Sequence, residues 1–232
     1  MTTFTVWDPD APTGSGDEFD GDTTAFDAAY TKVNWPVSGY SVNQLPPNGT
    51  PGALYAEAGQ GSGFVQRHAL LDLPDGDFLI ATKVEHHGWY DEAQASFVGI
   101  SLTDGVTPGQ GNQVCAALEW DNGKDNFTRW CGKYAGFQGA SVASYHYERC
   151  HNHGQYLWFR RVSGVYEVGF SQTGVPGEEN YSTFAPGFTP TKYGVWFRND
   201  STKWICVSWM FLRYFDDADA VLGANVVREL AP

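Results

Sequence analysis

The feature that most constrains this chain is the steady return of short β-forming runs broken by turn dipeptides. Runs rich in β-branched and aromatic residues occupy 64–71, 77–87, 96–102, 113–120, 127–134, 141–148, 155–162, 165–171, 193–198 and 203–215. Between them stand Asp75-Gly76, Asp104-Gly105, Asn122-Gly123, Ser163-Gly164 and Asn199-Asp200, pairs that accept the backbone angles of tight turns. A spacing of about 10–15 residues without a fixed period describes the strands of one sandwich or jelly roll. Composition agrees: 27 Gly and 12 Pro against 2 Met, with 16% aromatic residues, favour strands and sharp turns over helices. The expected fold class is all-β, a two-sheet antiparallel β-sandwich. Its 232 residues admit two domains by length, yet sandwiches of about 200–250 residues commonly form one. Area scaling gives a folded surface of roughly 10,000 Å². The expected layout is an N-terminal arm over 1–16, the sandwich over 17–216, and a tail or short helix over 217–232.

Period-two patterning assigns faces. In β-rich run 155–162, Leu157 and Phe159 lie opposite Trp158 and Arg160, and the partner run 165–171 follows after a Val-Ser-Gly turn. In the last run Ile205, Val207, Trp209 and Phe211 share one face, while Trp204, Cys206, Met210 and Leu212 share the other. A strand apolar on both sides is covered on both sides, by another layer of this chain or by a neighbouring subunit.

Charge excludes whole classes of partner. The chain carries 14 Lys and Arg against 27 Asp and Glu, a net −13 at neutral pH. A phosphate backbone is held by a basic footprint, so no nucleic-acid partner is expected, and an acidic membrane surface is disfavoured for the same reason. No run approaches about 18 consecutive apolar residues, and the first residues form neither a basic nor an apolar leader. The expectation is a soluble chain made in a cytoplasm without export. Cys115, Cys131, Cys150 and Cys206 contain no C-x-x-C pair; three disulfide pairings are open, and buried thiols are the favoured reading.

Three segments carry a resemblance. Asp17-Glu18-Phe19-Asp20-Gly21, followed by Trp35, resembles the opening D-x-F-D-G motif of concanavalin A-like and laminin G-like jelly rolls. Tyr156–Gly174 is similar to their Arg- and Tyr-bearing hairpin, and Tyr193–Asp216 to their closing strands. Separately, Thr2-Thr3-Phe4-Thr5-Val6-Trp7-Asp8-Pro9 is similar to the openings of tailed-phage tail and fibre proteins. The resemblance implies a two-sheet sandwich whose relatives bind glycans, cut glycans or build virions, and fold does not choose among these.

The chemistry narrows the choice. Glycosidases of this fold use E-x-D-x-E or E-x-D-x-x-E on one strand. Here Glu119-Trp120-Asp121 begins the pattern, with about 6.6 Å between the two acidic positions, but Gly123 or Lys124 stands where the second Glu belongs. A retaining or inverting pair of carboxylates is therefore incomplete. His146, Cys150, His151 and His153 cluster within one short segment, with no established ligand spacing. Asp17, Asp20 and Asp22 supply oxygen ligands in a loop, the set that calcium would take. No G-x-S-x-G or phosphate-binding loop occurs. Trp158 with Arg160, and Trp196 with Arg198, each place an indole and a guanidinium on one strand face. If those strands are neighbours they form a platform that stacks on sugar rings and bonds their hydroxyls; the alternative is that these residues are core or interface.

The expectation is thus a non-enzymatic virion protein of a tailed phage, in the tail, a fibre or the capsid decoration. Other virion proteins, further copies of itself and host-surface glycans are its expected partners. A free lectin-like module and a glycoside hydrolase are the alternatives.

Overall fold

A computed structural model describes residues 15–17, 19, 21–36, 39–42, 53–58, 65–86, 96–105, 112–121, 126–135, 138–141, 149–150, 154–171, 180–199 and 205–215. The early elements are β1 (Ser15–Asp17), α1 (Thr23–Ala29), β2 (Thr31–Val33), β3 (Tyr40–Val42), β4 (Leu54–Ala58), β5 (Val65–Asp72) and β6 (Phe78–His86). There follow β7 (Ser96–Thr103), β8 (Asn112–Asp121), β9 (Asn126–Ala135), β10 (Gln138–Ser141) and β11 (Arg149–Cys150). The last are β12 (Gly154–Val162), β13 (Val165–Ser171), β14 (Asn180–Phe184), β15 (Lys192–Asn199) and β16 (Ile205–Phe215). The expected run at 141–148 meets only the end of β10; the possible helix over 217–232 lies outside the described residues.

The strands form two sheets, and every pairing is antiparallel. One runs β14-β13-β12-β6-β16-β4-β3, with β1 beside β16; the other runs β10-β9-β8-β7-β15-β5-β2, with β11 beside β9. This is the two-sheet sandwich expected from the pattern, and its accessible surface of 10700 Å² is close to the scaling value. The inner faces meet in one core that includes Leu157 and Phe159 of β12, Val195 and Phe197 of β15, and Val207 and Trp209 of β16. Trp35 stands edge-on to Phe197, 5.4 Å between ring centres, and 5.9 Å from Trp209. The indole N–H of Trp209 donates across the sandwich to the Gly99 carbonyl, 2.8 Å, tying the two sheets by a buried polar bond.

Local chemistry explains the ends of elements. Ser163 and Gly164 both have positive φ, 51° and 78°, which is the two-residue turn that matches the twist of the β12–β13 hairpin. Asp22 caps α1: its carboxylate accepts from Ala25 N at 2.8 Å. The helix buries Phe26 against Tyr30 and Trp35, closing one end of the core. Sequence patterning missed α1 because the acidic, Gly-bearing segment before it reads as a turn.

The face assignment of the last strand needs one correction. The register of β16 against β6 shifts between Trp209 and Phe211, a bulge at Met210. One inserted residue inverts the alternation, so Val207 and Trp209 face the core, then Leu212 and Tyr214, while Phe211 and Phe215 turn to the outer side. Phe211 and Phe215 are nonetheless buried within a single chain, so covering them needs no neighbouring subunit.

Candidate functional site

The two Trp-Arg pairs fall in different sheets, β12 in one and β15 in the other, so the shared platform expected from sequence does not form. Alternation places both pairs on outer faces, but burial removes them from solvent. Trp158 is 3% exposed, Arg160 5%, Trp196 0% and Arg198 7%.

On the first sheet, Trp158 clusters with Leu79, Ala81, Phe211 and Phe215. Its cross-strand partner is Gly169, and a Cβ there would stand 1.9 Å from Trp158 Cζ2; the indole occupies the space the glycine leaves. Arg160 faces its register partner Glu167, and both Nε (2.7 Å) and Nη2 donate to Glu167 Oε2. The same guanidinium lies 5.6 Å from the centre of the Trp158 ring. Arg160 is thus committed to an internal pair.

The outer face of the second sheet is different in character. Val33, His68, Trp196, Gly99 and Ala117 are successive register partners across β2, β5, β15, β7 and β8, and Trp130 of β9 is next in register. The adjacent row is Gln66, Arg198, Phe97 and Glu119. Trp196 packs in a cluster with Phe97, Cys115 and Ala117, and its indole N–H donates to Gln66 Oε1 at 3.1 Å. His68 Nδ1 lies 3.2 Å from Ser101 Oγ; Gly194, the register partner of Ser101 in the strand between, places no side chain in the way. A Cβ at Gly99 or Gly194 would approach the neighbouring carbonyl of Ala116 or Ala69 to 1.9 or 2.0 Å, so these gaps in the face are fixed by backbone geometry. Arg198 sits with its guanidinium 5.7 Å from the centre of the Phe97 ring.

Three polar atoms of this face are buried without a hydrogen-bond partner: Gln66 Nε2, His68 Nε2 and Gln113 Oε1. Desolvation lowers the His68 pKa from 6.5 to about 3, so the imidazole is neutral over the ordinary pH range. Sequence reasoning missed Gln66 and His68 because polar residues alternating along a strand read as its solvent side. Only the burial of that side marks them.

Of the expected calcium set Asp17, Asp20 and Asp22, only Asp22 has a described side chain. Asp22 spends its carboxylate on the α1 cap. His146, His151 and His153 lie outside the described residues, as do the side chains of Asp121, Cys131, Cys150 and Cys206. Cys115 is buried. Among the described residues no group of three or more His, Cys, Asp or Glu is placed to hold a metal ion. None of their helices is long and apolar enough to cross a membrane.

No family model matches the chain. No curated protein matches it. Solved structures do. The xylan β-1,4-xylosidase from Bacillus halodurans C-125 aligns with a TM-score of 0.63 at 16% identity, over 90% of this chain and 41% of the xylosidase. The GH43 protein BlXynB (K247S) from Bacillus licheniformis aligns with the same TM-score at 14% identity and the same coverage. This chain therefore spans about two fifths of the length of those GH43 proteins. The CBM2 module of the evolved Dit of Lactobacillus casei BL23 phage J-1 aligns with a TM-score of 0.57 at 13% identity, over 86% of this chain and 93% of the module. At these identities the likeness is one of fold: a two-sheet, jelly-roll-like β-sandwich.

Proposed function

We propose that this chain is a non-catalytic sandwich module of a tailed-phage virion, seated in the tail, a fibre or the capsid decoration, whose second sheet reads host-surface glycans through its outer face. One observation carries the glycan reading. Gln66 and His68, side by side next to Trp196, each hold a buried polar atom with no protein partner. Such atoms are rare in folded proteins and cost about 1–3 kcal/mol each unless something else fills them. An amide and an imidazole with unmet hydrogen-bonding valence have the chemistry that sugar hydroxyls satisfy.

The virion setting is supported by the phage-like Thr2–Pro9 opening and by the likeness to the Dit module over nearly its whole length. The non-catalytic reading rests on two points. Glu119 finds Gly123 or Lys124 where a second Glu belongs, and His68 is too weakly basic to activate Ser101. Its partners are then other virion proteins and further copies of itself. A glycan array on the purified chain, paired with mass spectrometry of purified particles, tests both halves: specific glycan binding and presence in the particle are expected. A folded chain that binds no glycan sinks the first half, and particles lacking it sink the second.

A second reading, glycoside hydrolysis, is favoured by one placement: Glu119 lies in the row beside that of Trp196. Assay of the wild-type chain and of Glu119→Gln on the glycans it binds decides between them. The non-catalytic reading expects no turnover by either.

A further inference from the structure

We propose that the first sheet carries a second glycan contact on its outer face, open to solvent, where Tyr55 and Tyr156 flank Glu57, Lys83 and Glu85 and together take a neutral oligosaccharide. This rests on the glycan reading above and adds a site to it.

Exposure selects the place. Over much of this outer face the side chains are closed to solvent: Trp158 is 3% exposed, Arg213 3% and Phe215 1%. Towards its other end Tyr55, Glu57, Lys83, Glu85 and Tyr156 are each only half-buried. Among the described residues these two tyrosines are the aromatic side chains of an outer sheet face that are not buried. Register brings the five together. Tyr156 of β12 stands opposite Lys83 of β6, and Glu85 of β6 stands opposite Ser208 of β16, which in turn faces Tyr55 of β4. Glu57 lies two residues beyond Tyr55 on the same face, since Leu54 and Ala56 between and before them point into the core. The window thus crosses four strands, about 14 Å from the first to the last. Gly154, opposite Glu85, leaves that margin without a side chain.

The valence left on these groups suits hydroxyls. Glu57 Oε1 accepts the Tyr55 hydroxyl at 2.8 Å and no cation pairs with this carboxylate, so it has acceptor capacity to spare. Lys83 Nζ stands 3.5 Å from Glu85 Oε1 and 5.8 Å from the centre of the Tyr156 ring, a loose pair that leaves ammonium hydrogens for a ligand. Two carboxylates against one ammonium turn away acidic sugars, and a cationic ligand would meet Lys83 between them. The other cations of this face are committed: Arg213 lies 4.7 Å from the centre of the Phe211 ring, and Arg160 is held by Glu167. Acceptors, a donor and two phenol rings within reach of water fit the hydroxyls and the apolar face of a sugar ring. A protein partner would take roughly 20–30 residues a side, far more than this window offers.

The test is a glycan array with matched neutral and acidic panels, then calorimetric titration of the best neutral oligosaccharide, which reads both affinity and number of sites. Wild type is compared with Tyr156→Ala and with Glu57→Ala, and either variant decides should the other fail to fold by circular dichroism. Val165→Ala, at the exposed β12–β13 hairpin, is the control. The control should match wild type within twofold, while each site variant binds at least fivefold more weakly or loses one of two sites. Preference for acidic glycans, or unchanged affinity and number of sites in either folded variant, overturns this inference and leaves the glycan reading standing. No binding to any glycan by folded wild type overturns both.

Discussion

The neutral His68 makes a quantitative demand on the pH dependence of stability. Burial alone lowers its folded pKa from the ordinary 6.5 to about 3. The unfolded chain therefore binds a proton below 6.5 that the native state refuses, so stability falls as pH drops from 6.5 towards 3 and no further below that. Each pH unit in that window is worth about 1.4 kcal/mol. From pH 6.5 to 4.5 the imidazole alone removes about 2 kcal/mol, and over its full titration about 5 kcal/mol. The perturbation is His68→Asn, which has no titrating group and keeps a partner for Ser101. Urea unfolding followed by tryptophan fluorescence at pH 7.5, 6.5, 5.5 and 4.5 gives stability curves for both proteins. Carboxylates contribute alike to the two. The variant starts lower, because a cavity opens, but its curve should be flatter by about 1.4 kcal/mol per unit below pH 6. Parallel curves would refute the claim that His68 is buried and neutral in the native chain.

Three further outcomes follow from the geometry. Gly169→Ala drives a Cβ into the Trp158 ring and should cost about 1–3 kcal/mol by calorimetry; Trp158→Leu in the same background should recover part of the loss. Glu167→Ala leaves the Arg160 guanidinium buried without its carboxylate and should cost about 3–5 kcal/mol in urea unfolding, whereas Arg160→Met with Glu167→Leu costs far less. Asp22→Ala removes the α1 cap and should cost about 0.5–2 kcal/mol equally in calcium and in EDTA, because the carboxylate serves the helix; a loss seen only with calcium would refute this and support the ion site.

The glycan and virion readings give the second sheet's outer face a role that its sequence does not advertise. Trp196 and Arg198 were visible as an aromatic and a guanidinium on one strand face. Their neighbours Gln66 and His68 were not, since nothing local separates a buried polar side chain from a solvated one. The same holds for Trp158 and Arg160, which pattern offers as a ligand platform and packing commits to Gly169 and Glu167.

What the sequence determined by itself was local. Alternation and turn dipeptides placed β5 to β9, β12, β13, β15 and β16 within a residue or two, because side-chain period and positive-φ turns are properties of neighbouring residues. The hairpin at Ser163-Gly164 is the clearest case. The tertiary structure decided what depends on distant partners. It sent β12 and β15 to different sheets, since hydrogen-bond pairing between strands leaves no periodic trace in either one. It inserted the bulge at Met210 that turns Phe211 outward, since one extra residue inverts every face beyond it. It also buried His68 and Gln66, because burial is set by what the rest of the chain lays over a strand and not by the strand's own residues.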